Sequence, residues 1–196
     1  MSASQTKPSV VHETAIVAPN VTLGAGSVVE PNVILGSIDG PPLTIGADAL
    51  IRSGTRIYGG VTIGSGFRTG HNVLIRGDVV AGDDFHIGSY SSVEGTVRIG
   101  DGVIVQGRCE VADSTLEDGC RLWVSTFVCD NVWPPDGAKR PPVIGRNAKV
   151  FAGVIVMPGT LIEEGAVVAA GAVVSGVVPP GMIYLRDGST VPVRKP

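Results

Sequence analysis

Residues 57–75 read IYGGVTIGSGFRTGHNVLI, and a large apolar residue returns within them every six positions, at Ile57, Ile63 and Ile75. Thr69 fills the remaining place in the series, so the period continues through a polar residue. A repeat of this kind has to be identified before any local helix or strand prediction, because it sets the architecture of the whole chain.

This repeating position can be followed along most of the sequence. It is occupied by Val, Ile or Leu except at Thr69 and Ala81. Its other members are Val11, Val17, Leu23, Val29, Leu35, Ile45, Ile51, Ile57, Ile63, Ile75, Ile87, Val93, Ile99, Val105, Val111, Leu116, Leu122, Val128, Ile144, Val150, Val156, Ile162, Val168 and Val174. Three residues later the chain usually has Gly, Asn or Asp, which accept a left-handed backbone at low cost. Small or β-branched residues follow at the next position, as at Val61 and Val73.

This pattern predicts a short strand and a tight corner in every six residues, with three sides and eighteen residues in each coil of an all-β solenoid. Ten residues separate Leu35 from Ile45 and sixteen separate Val128 from Ile144, so both insertions leave the same corner. We expect a tail at 1–10, a β-helix at 11–178 with an extruded loop at 129–143, and a C-terminal cap at 179–196.

Composition excludes several classes of function. The formal net charge is -3 and there is no basic stripe, which argues against nucleic acid as a partner. Apolar runs are too short to span a membrane. The three cysteines (Cys109, Cys120 and Cys129) have no metal-ligand spacing, and we interpret them as reduced thiols of a cytoplasmic protein.

His71 is the residue that the repeat does not require. It falls at an outward position before a corner, and the eighteen-residue period places Ser53 one coil before it and Ser89 one coil after it. Arg76 and Glu94 are also eighteen apart and are expected to form an outward ion pair. A solvated histidine and a solvated ion pair are the alternatives to a functional role.

Other chemical groups are less informative. His12 and His86 do not converge with His71, so the sequence indicates no metal site. Outward aromatic residues at Trp123 and Phe151 are more typical of a subunit contact than of a ligand site. Lys139 and Arg140 either meet phosphates or form a solvated loop tip.

Several segments resemble hexapeptide-repeat acyltransferases, and most of all those that acetylate the amino group of nucleotide-linked sugars. The segments are Ile51 to Thr55, Phe67 to Arg76, Val93 to Gly95, Phe127 to Asp130, Gly153 to Gly159, Val167 to Val174 and Val178 to Gly181. The likeness covers about residues 11 to 182. It implies a left-handed coil, acetyl-CoA as the acyl donor with no metal, and a homotrimer whose active sites lie between subunits.

The resemblance also implies roles for individual residues. His71 would be the catalytic base, and backbone N–H groups at Gly88 and Ser89 would stabilise the oxyanion. Acceptor contacts are expected from Arg76, Glu94, Asp130, Asn131 and Trp133. Coenzyme contacts are expected from Ser89, Ala152, Gly153, Ala170, Gly171 and Arg186.

Three alternatives stay open on the same fold. The acceptor group could be a hydroxyl on a sugar or another small molecule instead of an amine. The triplet Arg76-Gly77-Asp78 is similar to one in γ-class carbonic anhydrases, but of the histidines they need after it only His86 is present. A β-helix without catalytic activity is the third, since a fold does not determine function.

Overall fold

The structure is a computed structural model, and it describes residues 7–131 and 138–193. The chain winds there into about nine coils of an all-β solenoid with three flat faces. Each six-residue unit supplies one short strand to one face, and parallel pairing to the next coil satisfies its backbone. The predicted β-helix is therefore confirmed.

The strands of each face follow one another up the solenoid. The first face contains Val10–Val11, Val28–Val29, Leu50–Ile51, Arg68–Thr69, His86–Ile87, Ile104–Val105, Arg121–Leu122, Lys149–Val150, Val167–Val168 and Met182–Tyr184. The second contains Ile16–Val17, Ile34–Leu35, Arg56–Ile57, the starts of Leu74–Ala81 and Ser92–Ile99, Glu110–Val111, Phe127–Val128, Ile155–Val156 and Val173–Val174. The third contains Val21–Leu23, Leu43–Ile45, Val61–Ile63, the ends of those two long strands, Ser114–Leu116, Val143–Ile144, Leu161–Ile162 and Val177–Val178.

We name the three corners by the faces that they join. The first corner lies between the first and second faces, the second corner between the second and third faces, and the third corner between the third face and the next coil. Both insertions leave the second corner, at 36–42 and at 129–142, as the repeat spacing predicted. The chain ends in an antiparallel hairpin, in which Thr190–Pro192 pairs with Met182–Tyr184.

The core is the column of inward residues that the six-residue period identified. Ile57, Ile75 and Leu116 are fully buried, and even Thr69 is only 6% exposed. Burial of these side chains supplies the main driving force for folding. The inward cysteines, Cys109 and Cys120, are also buried.

Left-handed backbone marks most of the corners, as at Gly66 (φ 74) and Asn72 (φ 55). The predicted left-handed Asp78 is an exception, since Gly77 takes the positive φ of 106 one residue earlier. Leu74–Ala81 consequently runs through the second corner as one eight-residue strand. A side chain at Gly77 would collide with the backbone of Gly95, so the glycine is required by close approach as well as by φ.

Candidate active site

His71 lies exposed on the first corner, in contact with the coils on both sides of it. Its Nδ1 is 2.9 Å from the Ser53 hydroxyl one coil before. Its backbone N–H donates to the Ser89 hydroxyl one coil after, also at 2.9 Å. The sequence spacing predicted both neighbours, and the structure brings them together with His71. The ring is thus held at one nitrogen while the rest of it stays open to solvent.

An acidic residue that the sequence analysis missed supports this arrangement from below. Glu30 accepts bonds from the Ser53 amide at 3.1 Å and from the Arg52 guanidinium at 2.7 Å. Burial opposes ionisation of Glu30, but these two donors outweigh it and lower its pKa. The carboxylate therefore fixes Ser53, which in turn contacts His71.

The Ser89 amide is an open backbone donor in the coil next to His71. The His71 N–H donates to the side chain of Ser89, the residue one coil later. The residue one coil after Ser89 is Gly107, which has no side chain that could accept from the Ser89 N–H. Among the described residues the Ser89 N–H has no hydrogen-bond acceptor. The Gly88 N–H, in contrast, donates to the Val105 carbonyl at 2.8 Å, so of the predicted pair only Ser89 keeps a free donor.

A groove of about 430 Å³ runs beside this corner and toward the later coils. Its lining includes Gly70, Gly88 and Gly107 from three successive coils, together with Val124 and Gln106, which is the residue one coil beyond Gly88. The three glycines place no side chain in the groove. A thin, extended group could therefore lie along it with one end at Gly70, the residue before His71.

The residues predicted to contact coenzyme A continue the same corner. Gly153 donates to Val124 at 3.0 Å, and Gly171 donates to the Ala152 carbonyl at 2.8 Å. Arg186 folds back from the C-terminal hairpin, where its Nε donates to the Ala170 carbonyl at 2.6 Å. Five coil spacings separate His71 from Ala170, or roughly 24 Å at about 4.8 Å per coil.

The described residues that are predicted to contact the acceptor lie at the second corner. Arg76 and Glu94 form the expected ion pair, with Nε and Nη2 2.6 and 2.5 Å from the same carboxylate oxygen. Within one chain, however, the width of the second face separates this pair from His71. In one chain, therefore, the ion pair and His71 lie on different corners.

A cleft of about 390 Å³ opens next to that ion pair, at the base of the long loop. It is lined by Glu94, Glu110, Asp130 and Asn131 together with parts of the second face. Asn131 donates to the Asp130 carboxylate at 2.7 Å, which fixes both side chains. Trp133, the remaining predicted acceptor contact, lies outside the described residues. The acidic lining is suited to cationic or hydroxyl-rich ligands.

Lys139 lies at the base of the long loop, where it pairs with acidic residues of the chain. The sequence analysis had placed it either at a phosphate or at a solvated loop tip. Its amine bonds to Asp113 at 2.5 Å and lies 3.6 Å from Asp130. Burial opposes ionisation of Asp113, but the bonds from Lys139 and the Thr96 amide overcome it and hold the pKa at about 2. Burial and the neighbouring Asp113 raise the pKa of Asp130.

Trp123 and Phe151 stack on the first face, with ring centroids 4.7 Å apart and an interplanar angle of 30°. The repeat predicted that they would be neighbours in successive coils. The described residues contain no group of three or more His, Cys, Asp or Glu that could hold a metal ion. They also contain no helix that is long and apolar enough to cross a membrane.

Comparison with known proteins is consistent with this geometry. The family model for bacterial transferase hexapeptide (six repeats) matches residues 141–176. A UDP-N-acetylglucosamine acyltransferase from Campylobacter jejuni superposes with a TM-score of 0.66, at 19% identity over 88% of this chain and 70% of that one. The chain has the left-handed β-helix fold, built from six-residue repeats.

Two further solved structures match this chain, and they differ in how well they superpose on it. Another UDP-N-acetylglucosamine acyltransferase gives a TM-score of 0.61, at 15% identity over 89% of this chain and 70% of that one. PerB from Caulobacter crescentus, solved with CoA and GDP-perosamine, is 18% identical over 92% of this chain and 55% of that one, but its TM-score of 0.27 says nothing about the site. No curated protein matches the sequence. At these identities the structural likeness establishes the fold alone.

Proposed function

We propose that this protein is an acetyltransferase, which moves the acetyl group of acetyl-CoA to the amino group of a nucleotide-linked sugar. The observation that carries the proposal is the pairing of His71 with the unsatisfied N–H of Ser89, one coil apart on an open corner. Acyl transfer from a thioester needs a base and an oxyanion donor close together, and these two groups supply both.

In the reaction that we propose, His71 acts through Nε2. The reaction uses the tautomer in which the Nδ1–H donates to the Ser53 hydroxyl, 2.9 Å away, because this tautomer leaves Nε2 as the basic nitrogen. It takes a proton from the acceptor amine as the amine nitrogen bonds to the thioester carbonyl carbon. The carbonyl oxygen becomes an oxyanion, to which the Ser89 N–H donates.

Collapse of this tetrahedral adduct breaks the bond between carbon and sulfur. The departing thiolate takes the proton from His71 and leaves as the free thiol of CoA, so the ring returns to its starting state. Charges and protons balance without a metal ion. The amide product carries the acetyl group on the sugar nitrogen.

The donor is proposed to lie along the first corner. The groove lined by Gly70, Gly88 and Gly107 gives a narrow arm a path away from His71, and small residues continue at Ala152 and Ala170. Arg186 donates a hydrogen bond to the Ala170 carbonyl, which holds its side chain at this corner. We propose that Arg186 contacts the bound acyl donor there.

The acceptor is proposed to come from the cleft at the second corner of a neighbouring copy. Glu94, Asp130 and Asn131 line that cleft and could bind an ammonium group and sugar hydroxyls. Since one chain keeps this cleft apart from His71, a closed homotrimer with sites between subunits is the assembly that we propose. We also propose that the protein is cytoplasmic, which fits its three cysteines being free thiols.

A substrate screen tests this function directly. Purified protein is incubated with acetyl-CoA and a panel of nucleotide-linked sugars, some with a free amine and some with hydroxyls alone, and products are followed by mass spectrometry. We expect a gain of one acetyl group on an amino sugar, and its absence with His71→Ala. Acetylation of hydroxyl substrates alone would replace the amine acceptor with a hydroxyl, and no transfer to any of them would contradict the proposal.

A further inference from the structure

Two cations lie directly one above the other on the first face. Arg121 and Lys149 are paired in neighbouring parallel strands, and both side chains are exposed. Neither has an acidic partner in the part of the chain that the structure describes. Like charges opposite each other in a sheet repel, so this arrangement costs stability unless an anion binds there.

The stacked aromatic pair lies beside these cations. Because side chains in a strand alternate between its two sides, Arg121 and Trp123 point outward together, as do Lys149 and Phe151. Leu122 and Val150, the residues between them, are fully buried in the core. Cations and aromatic rings therefore form one two-by-two patch on the outer surface.

The patch is concave. These four side chains line a cleft of about 690 Å³, the size of an ordinary small-molecule site. Three glycines and Asn147 complete its wall, so it keeps an open floor and a polar amide at the edge. Phe151 is 37% exposed, which leaves part of the aromatic surface accessible to a further ring.

We propose that this cleft binds a nucleotide. The base would stack on Trp123 and Phe151, and the phosphates would bond to Arg121 and Lys149. Stacking on aromatic side chains accepts any base, and charge-assisted bonds to phosphate are stronger than neutral ones. Nucleotide binding is argued from these four side chains alone, whereas the identity of the nucleotide as acyl donor or acceptor rests on the proposed function.

A subunit contact is the other occupant that such aromatic residues suggest. Protein interfaces are enriched in aromatic residues and arginine, but they are depleted of lysine, and Lys149 forms part of this patch. Packing a second copy here would remove both Arg121 and Lys149 from water, and neither has an acidic partner among the described residues of its own chain. The charges thus favour a phosphorylated ligand over a protein surface.

Two nucleotides are candidates for the natural ligand of this cleft. Val124, next to Trp123, lines the groove that leads to His71, and three coil spacings, roughly 14 Å, separate their coils. The adenosine 3′,5′-bisphosphate end of coenzyme A could therefore bind here with its thiol end toward His71. The nucleotide of a sugar acceptor has the same chemistry and is the second source.

Tryptophan fluorescence offers a direct test, because the sequence has two tryptophans and Trp133→Phe leaves Trp123 as the single reporter. This variant is titrated with CoA, adenosine 3′,5′-bisphosphate, UDP and GDP. We expect saturable quenching, weakened at least roughly 10-fold by Arg121→Gln with Lys149→Gln. Arg56→Gln removes an exposed charge from the second face and should leave the affinity unchanged.

The ligands distinguish the two sources. Quenching by CoA and by adenosine 3′,5′-bisphosphate alone identifies the acyl donor, and quenching by UDP or GDP alone identifies the acceptor. The proposal is overturned if none of the four quenches at millimolar concentration, or if the double variant binds as well as its parent. Dissociation of an oligomer by Trp123→Ala, with no nucleotide bound, would identify the patch as a subunit contact.

Discussion

The amide of His71 donates to the hydroxyl of Ser89, whereas the amide of Ser89 itself has no acceptor among the described residues. The difference arises because Gly107, one coil further on, lacks the side chain that Ser89 provides to His71. This one missing side chain leaves a backbone donor open beside an exposed histidine.

Gly107→Ser tests the role of that donor without altering it covalently. A serine hydroxyl at this place should accept from the Ser89 N–H and withdraw it from the reaction. Loss of one oxyanion donor typically costs about 10²–10³-fold in turnover. Gly107→Ala is the matched control. Like serine, alanine adds a Cβ that lies 3.0 Å from the Ser89 carbonyl oxygen, but it adds no hydrogen-bond acceptor. Equal turnover in the two variants would exclude the Ser89 amide.

Ser53→Ala tests how His71 is positioned. Loss of the 2.9 Å contact to Nδ1 should reduce turnover roughly 10-fold, because the ring is no longer held in one orientation, while the acetyl-CoA KM stays unchanged. Ser53→Thr keeps the hydroxyl and should restore most of the rate. A threonine variant as slow as the alanine variant would show that the corner, and not the hydroxyl, was damaged.

The carboxylates at the loop base predict a specific dependence of stability on pH. The pKa of Asp113 in the folded state, about 2, is below its ordinary value of 3.8, so its bonds to Lys139 and Thr96 stabilise the fold above about pH 4. That stability should be lost as the pH falls from 4 toward 2. Urea midpoints measured across this range should fall in the wild type and change less in Asp113→Asn; equal slopes would contradict the assignment.

Asp130 should behave in the opposite sense. Its pKa is raised, so ionising it in the folded state costs stability as the pH rises through that pKa. Asp130→Asn is therefore expected to raise the urea midpoint at neutral pH while it weakens acceptor binding. A residue kept at a cost to stability is typical of a binding site. A lowered midpoint at neutral pH would show that Asp130 is mainly structural.

Subunit complementation tests the shared site. His71→Ala and Glu94→Ala change the two separate corners, so each variant alone should be inactive or weak. Mixing and refolding them should restore activity, because some sites then combine an intact His71 with an intact Glu94 from the neighbouring copy. Activity no higher than the sum of the parents would place the whole site within one chain.

Much of this architecture can be read from the sequence, because the six-residue period fixes the inward residues and the eighteen-residue coil fixes their neighbours. His71, Ser53 and Ser89 were brought together in that way. Glu30 was missed because the first insertion lengthens its coil to twenty-two residues, as the pairing of Val28 with Leu50 shows.

The cleft on the first face was missed for a different reason. The repeat paired Trp123 with Phe151 across the long loop, and the same register places Arg121 beside Lys149, but the spacing alone does not show that these four side chains line one cleft. Lys139 could not be placed either, since the course of an inserted loop depends on tertiary contacts and not on the repeat. Regular coils are thus predictable from local spacing, whereas the groups around insertions require the three-dimensional structure.

The most direct test of the central claim is the turnover of His71→Ala with acetyl-CoA and the amino-sugar acceptor that the screen identifies. A general base contributes about 10²–10⁴-fold, so turnover should fall by that factor while coenzyme A affinity and oligomeric state are retained. Turnover within a few-fold of the wild type would contradict the assignment of His71 as the base.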